Sequence, residues 1–473
     1  MNKPDAQQGS PPAEGMPSIS LDEARQRAMA IRDRMPSNGL FANHIWRISP
    51  TPFSLGKRLV KDLEKLGRIL LQFYRATDVL YRKSAEGKLP PWVAALCDQG
   101  KPESLLSIQR DSIFKPDLPR VIRPDILLTD EGFSITELDS VPGGIGLTAW
   151  LNETYTSLPS AAEPSPDGGT TPAEPMPVIG GADGMITGFR NVFGDADNVH
   201  LVVSEESATY RPEMQWMADR INPSRAMSVR GDDFRGFENG DAVYRFFELF
   251  DLANVPNADA IMKRALAGEI KLTAPPKTYL EEKLVAGLLW NRNLTEFWRQ
   301  ELGNGFLRVL QQHIPYTWIL DPTPLPPHAA YPELGITDWS HLKSLSQKER
   351  RLILKISGFA PEAWGARGVH LGNDLSTEAW SQVVDQALRN FPTSPHILQR
   401  FTKPRTTPAH WFDFESDKLV PMTGRVRLCP YYLVEGQGDH ARANLRGCLA
   451  TICPADKKII HGMSEAILAP CSV

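Results

Sequence analysis

The side chains best suited to chemistry lie in one short stretch, where two carboxylates end a strand-like run. Glu137 and Asp139 stand two residues apart in FSITELD, and a Pro-Gly-Gly turn follows them. Arg123 and Asp125 lie in IRPDILLT, and a turn at 130–132 joins the two runs as a predicted β-hairpin. Because alternate side chains of a strand share a face, we expect the four charged groups to come together.

Three carboxylates beside one arginine are costly to bury unless a cation binds among them. A hard divalent ion with oxygen ligands, acting on a phosphorylated substrate, would remove that cost. The alternative is a hydrated hairpin edge that carries scattered charges.

A second informative stretch begins at 352 with LILKISGFAPEAWGARG. A short strand carries Lys355 among apolar neighbours, and a loop with glycines at 358, 365, 368 and 372 follows. A lysine supplies positive charge, and glycines let backbone N–H groups approach phosphate oxygens closely. The P-loop pattern GxxxxGK[ST] is absent. The alternative is a strand whose lysine reaches solvent, followed by a loop with no ligand.

The turn after Asp139 leads into LTAWLNETYTSL, which reads as a short helix beginning close to Gly146. Backbone N–H groups at a glycine turn and a helix N-terminus can bind an anion. A tight turn that needs glycine dihedral angles is the other interpretation.

The chain has 473 residues, a formal net charge of −4 and no block of basic residues, so its charge gives no indication of a nucleic-acid partner. The five cysteines form no CxxC pair, which is typical of a reducing compartment. No run approaches the roughly 18 apolar residues of a membrane span. We expect a cytoplasmic protein with no membrane partner, and the sequence leaves its oligomeric state open.

Several elements can be assigned from their patterns. Ser20 and Glu23 form a capping box for a first helix, and apolar residues recur every three to four positions across 59–73, which predicts an amphipathic helix. Strands alternate with helices over 190–276, as in an open α/β domain. The residues 277–314 read as helical, and the C-terminus reads as two strands followed by a short helix at EAILAP.

At several points the chain resembles the glutathionylspermidine synthetase-like enzymes, circularly permuted members of the ATP-grasp superfamily. Arg123, Asp125 and Glu137 match the type and spacing of the metal-binding segment of that family, whereas Asp139 stands where the family usually has Asn. The segment EEKLVAGLLW is similar to the family's NK…LLW helix, with Glu282 in place of Asn. As in the permuted subgroup, the acidic residues precede the lysines.

The resemblance implies a fold class and a division of the chain. The fold is an α/β ATP-grasp fold with a small pre-ATP-grasp α/β domain and an N-terminal helical region. The implied divisions are a disordered tail at 1–20, the helical region with the metal-binding hairpin at 21–158, a low-complexity linker at 159–177, the pre-ATP-grasp-like domain at 190–276, and the ATP-grasp lid and C-terminal core at 277–473.

The resemblance also implies ATP and Mg²⁺ as cofactors, with small-molecule carboxylate and amine substrates. Arg123 would be catalytic, steadying charge that develops during transfer. The other implied ligands are Asp125, Glu137 and Asp139 for the metal, and Lys283, Lys355, Gly365, Gly368 and Gln399 for ATP. The implied reaction is amide formation through an acyl phosphate; a phosphotransferase on the same scaffold and a catalytically inactive nucleotide-binding protein are the alternatives.

Overall fold

In a computed structural model of the chain, the described residues are 19–36, 46–158, 176–363, 367–457, 460 and 465–473. Most of the predicted tail at 1–20, most of the predicted linker at 159–177, and Gly365 lie outside them.

The helices within the described residues follow the amphipathic patterns of the sequence. The side chain of Ser20 accepts a hydrogen bond from the backbone N–H of Glu23, which confirms the predicted cap of the first helix. The α-helices are α1 (Leu21–Asp33), α2 (Lys57–Ala85), α3 (Trp92–Asp98), α4 (Glu103–Arg110), α5 (Ile145–Thr156), α6 (Gly184–Asn191), α7 (Arg211–Ile221), α8 (Ala258–Leu266), α9 (Leu284–Trp290), α10 (Thr295–His313) and α11 (Thr377–Asn390).

The strands of the described residues form three sheets. They are β1 (Phe53–Ser54), β2 (Val121–Thr129), β3 (Gly132–Asp139), β4 (Asn198–Val203), β5 (Ala226–Arg230), β6 (Ala242–Phe246), β7 (Lys271–Thr273), β8 (Thr317–Ile319), β9 (Leu352–Ile356), β10 (Val369–Leu371), β11 (His396–Arg400), β12 (Thr406–Asp413), β13 (Lys418–Glu435), β14 (Arg442–Pro454) and β15 (Ile467–Ser472).

The largest sheet runs in the order β1-β15-β14-β13-β2-β3, with β12 paired to β13, and its pairs are antiparallel except β1 with β15. Helix α2 packs on one face of this sheet, and α5 and α6 pack on the other, with α7 packed against them and against β5 of the third sheet. Strand β13 lies inside the sheet, so its alternate side chains enter the two different cores: Leu428 faces α2 and Cys429 faces α5.

The β2–β3 hairpin contains a β-bulge at Thr136. Thr129 pairs with Gly132 across the turn and Ile126 pairs with Ile135, but the next pair is Asp125 with Glu137. Thr136 is therefore the extra residue, and every later residue of β3 is shifted by one. Because side chains alternate with a period of two, this shift turns Glu137 onto the face that carries Asp125.

The second sheet, β10-β9-β11-β8, is antiparallel throughout and carries two of the predicted ATP residues, Lys355 and Gln399. Lys355 of β9 pairs with Ile397, and Gln399 of β11 pairs with Thr317 of β8. Lys355 and Gln399 are thus diagonal neighbours on one face, within reach of each other.

The third sheet, β5-β4-β6-β7, is parallel, as the alternation of strands and helices over 190–276 predicts. The boundaries drawn between domains stay predictions.

The C-terminus corrects one expectation. The short helix predicted at EAILAP (465–470) is wrong, because the six residues Ile467–Ser472 form β15 between β14 and β1. All six are buried, so both faces of the strand lie in the core and the sequence shows no alternation to reveal it.

Within the described residues, no helix combines the length and apolar character of a bilayer span.

Helix α2 approaches the large sheet so closely that residue 67 must be glycine. A Cβ atom at Gly67 would lie 2.5 Å from the carbonyl oxygen of Ala443 and 2.6 Å from the ring of Tyr432. We expect Gly67→Ala to lower the free energy of unfolding by about 1–3 kcal/mol, since the helix must move off the sheet.

Gly305 of α10 provides the matched control, because a Cβ there would meet nothing within 4 Å. Gly305→Ala should leave stability unchanged or raise it by up to about 1 kcal/mol. Equal effects of the two substitutions in urea unfolding would contradict the close approach.

Candidate active site

Arg123 is the centre of the charged face of the hairpin. Its Nε donates to Asp125 Oδ1 at 3.1 Å, and its Nη2 lies 3.0 Å from Asp139 Oδ2. Its Nη1 donates to the carbonyl oxygen of Gly143 at 3.1 Å. One guanidinium thus orients two of the predicted metal ligands and the turn that follows β3.

Asp125 lies behind this face and is held by a second arginine. Arg427 of β13 donates to Asp125 Oδ2 at 3.2 Å, and the Cys429 thiol lies 3.6 Å from Asp125 Oδ1. Burial alone would raise the pKa of Asp125, but Arg123 and Arg427 outweigh it and hold that pKa below its usual value. The sequence shows that Arg425 and Arg427 share a strand face, yet nothing in it assigns Arg427 to this carboxylate.

Glu137 and Lys283 meet across the cleft. Lys283, just before α9, places its Nζ 2.8 Å from Glu137 Oε1 and donates to the carbonyl oxygens of Ser357 and Ala363 at 3.4 and 3.3 Å. Burial favours the neutral amine, but Glu137 outweighs it and raises the pKa of Lys283. The acidic hairpin and the first predicted ATP lysine are therefore in direct contact.

Lys355 reaches the same hairpin from the second sheet. Its Nζ donates to the carbonyl oxygen of the bulge residue Thr136 and to Gln399 Oε1, both at 2.9 Å. Gln399 in turn donates to the Thr317 hydroxyl at 3.1 Å. Burial lowers the pKa of Lys355 to about 8, so its charge is sensitive to mildly alkaline pH.

Of the two glycines predicted to bind ATP, only Gly368 is described. Its carbonyl oxygen accepts a hydrogen bond from the N–H of Ile356 at 3.1 Å, and a Cβ atom there would lie 2.4 Å from the Ile356 side chain. Gly368 is thus required for packing against β9, and its role toward ATP stays a prediction.

The contact between Glu137 and Lys283 divides the cleft into two compartments. One is apolar and ends at Gln399, with walls formed by Ile135, Val285, Ala286, Ile314 and Ile397. The other is acidic and is lined by Asp139, Glu248 and Glu281 together with Gly358. The cleft therefore offers an apolar slot and a polar chamber on either side of one ion pair.

The acidic compartment holds more carboxylates than cations. Burial raises the pKa of Glu248, and the nearby charges of Glu281 and Asp139 raise it further. Burial likewise raises the pKa of Glu281, although the fully buried Arg245 pairs with it and opposes the shift. A cation entering this chamber would relieve the repulsion and favour the ionised carboxylates. Glu248 and Arg245 belong to no motif in the sequence that would identify them as site residues.

The predicted metal ligands differ in their access to the cleft. The side chain of Asp125 is 10% exposed, whereas those of Asp139 and Glu137 are 28% and 38% exposed. Among the described residues, no three His, Cys, Asp or Glu side chains gather closely enough to hold a metal by themselves. Mg²⁺ commonly takes one or two carboxylates together with substrate phosphates and water, a requirement that Glu137 and Asp139 fit. Asp125 as a third ligand stays a prediction.

The glycine turn does not leave an open anion site. Glu213 of α7 accepts hydrogen bonds from the N–H groups of Gly144, at 2.7 Å, and Leu147, at 3.1 Å, and so caps α5. Burial raises the pKa of Glu213 to about 7, against the effect of these hydrogen bonds. The N-terminus of α5 is thus occupied by a carboxylate of the chain itself, and of the two interpretations of this turn the structural one holds.

No family model and no curated protein sequence matches this chain. Among solved structures, it is similar to a glutathione synthetase-like effector from Globodera pallida in its apo form, with a TM-score of 0.51 and 11% identity, over 97% of this chain and 98% of that one. A candidate gamma-glutamylcysteine synthetase from Methylobacillus flagellatus covers 82% of this chain and 84% of its own at 11% identity, but its TM-score of 0.37 supports no inference. The first likeness shows the fold alone and confirms the predicted α/β fold class; the ATP-grasp superfamily, the glutathionylspermidine synthetase-like family and the circular permutation stay predictions.

Proposed function

We propose that this protein is an ATP- and Mg²⁺-dependent ligase that joins a carboxylate to an amine through an acyl phosphate. The observation that carries the proposal is the meeting of two distant parts of the chain. Glu137 of the hairpin contacts Lys283 at 2.8 Å, and the adjacent Thr136 accepts a hydrogen bond from Lys355 at 2.9 Å. Carboxylates and lysines brought together in one cleft are what a metal–triphosphate substrate requires.

The apolar slot and the lysines beside it suit different parts of ATP. The apolar slot that ends at Gln399 suits a planar base, which an amide can recognise by hydrogen bonds. Lys283 and Lys355 lie beside it, where they would neutralise the phosphates. Mg²⁺ bound with ATP would be held by Glu137 and Asp139 and would polarise the phosphoryl oxygens as a Lewis acid.

The proposed chemistry needs no covalent bond to the protein. A carboxylate oxygen of the substrate attacks the γ-phosphorus, and the bond from that phosphorus to the ADP oxygen breaks. After the bound ammonium has given up one proton, its nitrogen attacks the acyl carbon, phosphate leaves with the electron pair of the carbon–oxygen bond, and the nitrogen loses a second proton. Arg123 faces the hairpin carboxylates and would stabilise negative charge on the transferred group.

The acidic chamber favours a cationic second substrate. Amines bind as ammonium ions at neutral pH, and Glu248, Glu281 and Asp139 surround a space whose repulsion an ammonium would relieve. This is the support for an amine as the acceptor rather than an uncharged hydroxyl compound.

The first prediction concerns the hairpin carboxylate that meets Lys283. Glu137→Gln should lower ATP turnover by about 100-fold or more, because the substitution removes the negative charge proposed to hold Mg²⁺ during phosphoryl transfer. Glu131→Gln in the exposed turn of the same hairpin is the matched control and should turn over ATP at the wild-type rate. Melting followed by circular dichroism checks that both variants are folded; normal ATP hydrolysis by folded Glu137→Gln would refute the metal assignment.

The second prediction concerns pH. Lys355 is charged below a pKa of about 8, and phosphate binds the charged form, so ATP affinity should hold below that pH and weaken above it. Glu137 and Asp125 favour the charged form of Lys355, and the charge of Lys283 opposes it. Calorimetric titration from about pH 7 to about pH 9 measures the profile.

Lys355→Met is the comparison for the pH profile. It should bind ATP weakly at every pH and lose most of the alkaline decline. A decline of the same size in this variant would assign the titration to another group.

The third prediction concerns the products. With ATP, Mg²⁺, amino acids or short peptides as carboxylates and polyamines or amino acids as amines, turnover should release ADP and phosphate. Mass spectrometry should then find an amide whose mass equals the two substrates less one water. ADP with a phosphorylated acceptor and no free phosphate would instead show a phosphotransferase. ATP binding without turnover would show an inactive nucleotide-binding protein.

A further inference from the structure

The loop between α3 and α4 inserts a lysine beneath the segment that carries Lys283. Lys101 forms an ion pair with Glu282, and the two side chains are only 1% and 3% exposed. Lys101 also donates to the carbonyl oxygen of Cys97, and its Nζ lies 5.6 Å from the ring centre of Phe359. A charge from the N-terminal helical region is thus buried under the ATP cleft.

The backbone before Lys101 fixes where this charge lies. Gly100 has a φ of +72°, and a Cβ atom there would lie 1.8 Å from the carbonyl oxygen of Thr393. Only glycine combines that dihedral angle with such close contact. The loop is therefore pressed against the end of α11, and Lys101 has little freedom to move away from Glu282.

Glu282 connects Lys101 to both backbone segments that surround Lys283. Its Oε2 accepts a hydrogen bond from the Ser357 hydroxyl at 2.8 Å, and that hydroxyl accepts one from the N–H of Leu284 at 3.1 Å. The Ser357 carbonyl oxygen accepts a hydrogen bond from Lys283 itself. Glu282 Oε1 forms the ion pair with Lys101, so the two oxygens of this carboxylate hold different partners.

The consequence for Lys283 follows from the cost of a buried charge. A carboxylate removed from water must keep a cation close by, and losing its partner leaves it strongly destabilised. Glu282 and Lys283 are adjacent in the chain and line the same compartment. Among the residues that line that compartment Lys283 is the cation, and without Lys101 we expect it to be drawn toward Glu282, away from Glu137 and the phosphates.

We infer that Lys101 is a positioning residue of the ATP site, which holds Glu282 and so leaves Lys283 free to bind phosphate. This inference rests on the proposed function, because it gives Lys283 its role toward ATP. It assigns the loop between α3 and α4 a part in nucleotide binding, although no residue of that loop is among those that line either compartment.

The test measures the dissociation constant of Mg–ATP by calorimetry, well below the melting temperature of each variant. Lys101→Met should weaken binding about tenfold, the loss expected when one charged contact to phosphate is misplaced. The double variant Lys101→Met/Glu282→Gln removes both charges and should bind within about threefold of wild type, since no unpaired carboxylate remains. Ser357→Ala, which retains both charges and removes only the bridging hydroxyl, should weaken binding in the same direction.

Lys277→Met separates positioning from general destabilisation. Lys277 is a fully buried lysine paired with Asp78 of α2, at 2.6 Å, and it contacts no residue of the cleft by a described hydrogen bond. This control should lower the melting temperature and leave the dissociation constant unchanged.

The outcomes distinguish the inference from the function beneath it. If wild type binds Mg–ATP and Lys101→Met binds it equally well, Lys101 is structural only and the ligase proposal stands. An unrescued double variant together with unchanged binding by Ser357→Ala would also overturn the inference. If wild type shows no binding of Mg–ATP, the proposed function fails, and the inference falls with it.

Discussion

A one-residue bulge determines whether this protein has a candidate active site. Thr129 and Gly132 pair across the hairpin turn, so a regular ladder would set Asp125 opposite Thr136 and direct Glu137 toward the core beneath α2. The bulge at Thr136 reverses this, and Glu137 and Asp139 share the face of Arg123 and Asp125. The same residue offers its carbonyl oxygen to Lys355. The bulge thus both aims the carboxylates into the cleft and anchors the lysine that faces them, a role that bulges commonly have near active sites.

The charges of the cleft are arranged in two layers with different properties. In the inner layer Asp125 is neutralised by Arg123 and Arg427, its pKa is lowered, and it is closed to solvent. In the outer layer burial raises the pKa values of Glu248 and Glu281, and neighbouring carboxylates raise them further. The inner layer therefore keeps Arg123 in place. In the outer layer the carboxylates repel one another, and a bound cation would reduce that repulsion. This difference separates residues that build the site from residues that could meet a ligand.

The sequence predicts the hairpin, the amphipathic helix α2, the parallel sheet and the convergence of hairpin carboxylates with two distant lysines. Those features follow from local patterns and from a resemblance whose residues lie in short motifs. The bulge could not be predicted, because the sequence indicates a turn at 130–132, whereas the structure pairs Thr129 with Gly132, and no residue marks the irregularity that follows. Glu248 lines the acidic compartment, and Lys101 is paired with Glu282 beneath the cleft. Neither could be predicted, since each lies in a segment without a motif. The sequence does not identify the strand at 467–472, because burial on both faces removes the alternation of apolar and polar residues that indicates a strand.

Two carboxylates stand where the resemblance leads one to expect Asn, and each has a cation of its own. Asp139 lies 3.0 Å from an Arg123 nitrogen, and Glu282 is paired with the buried Lys101. Replacing an amide by a carboxylate adds a negative charge, which a protein interior tolerates only beside a positive one. The cation paired with Asp139 is Arg123, which belongs to the predicted motif. Arg123 also contacts Asp125, and Arg427 is a second cation for that carboxylate. The cation for Glu282 comes instead from a loop of the N-terminal region. Each of these two carboxylates is therefore paired locally, Asp139 with an arginine inside the motif and Glu282 with a lysine outside it.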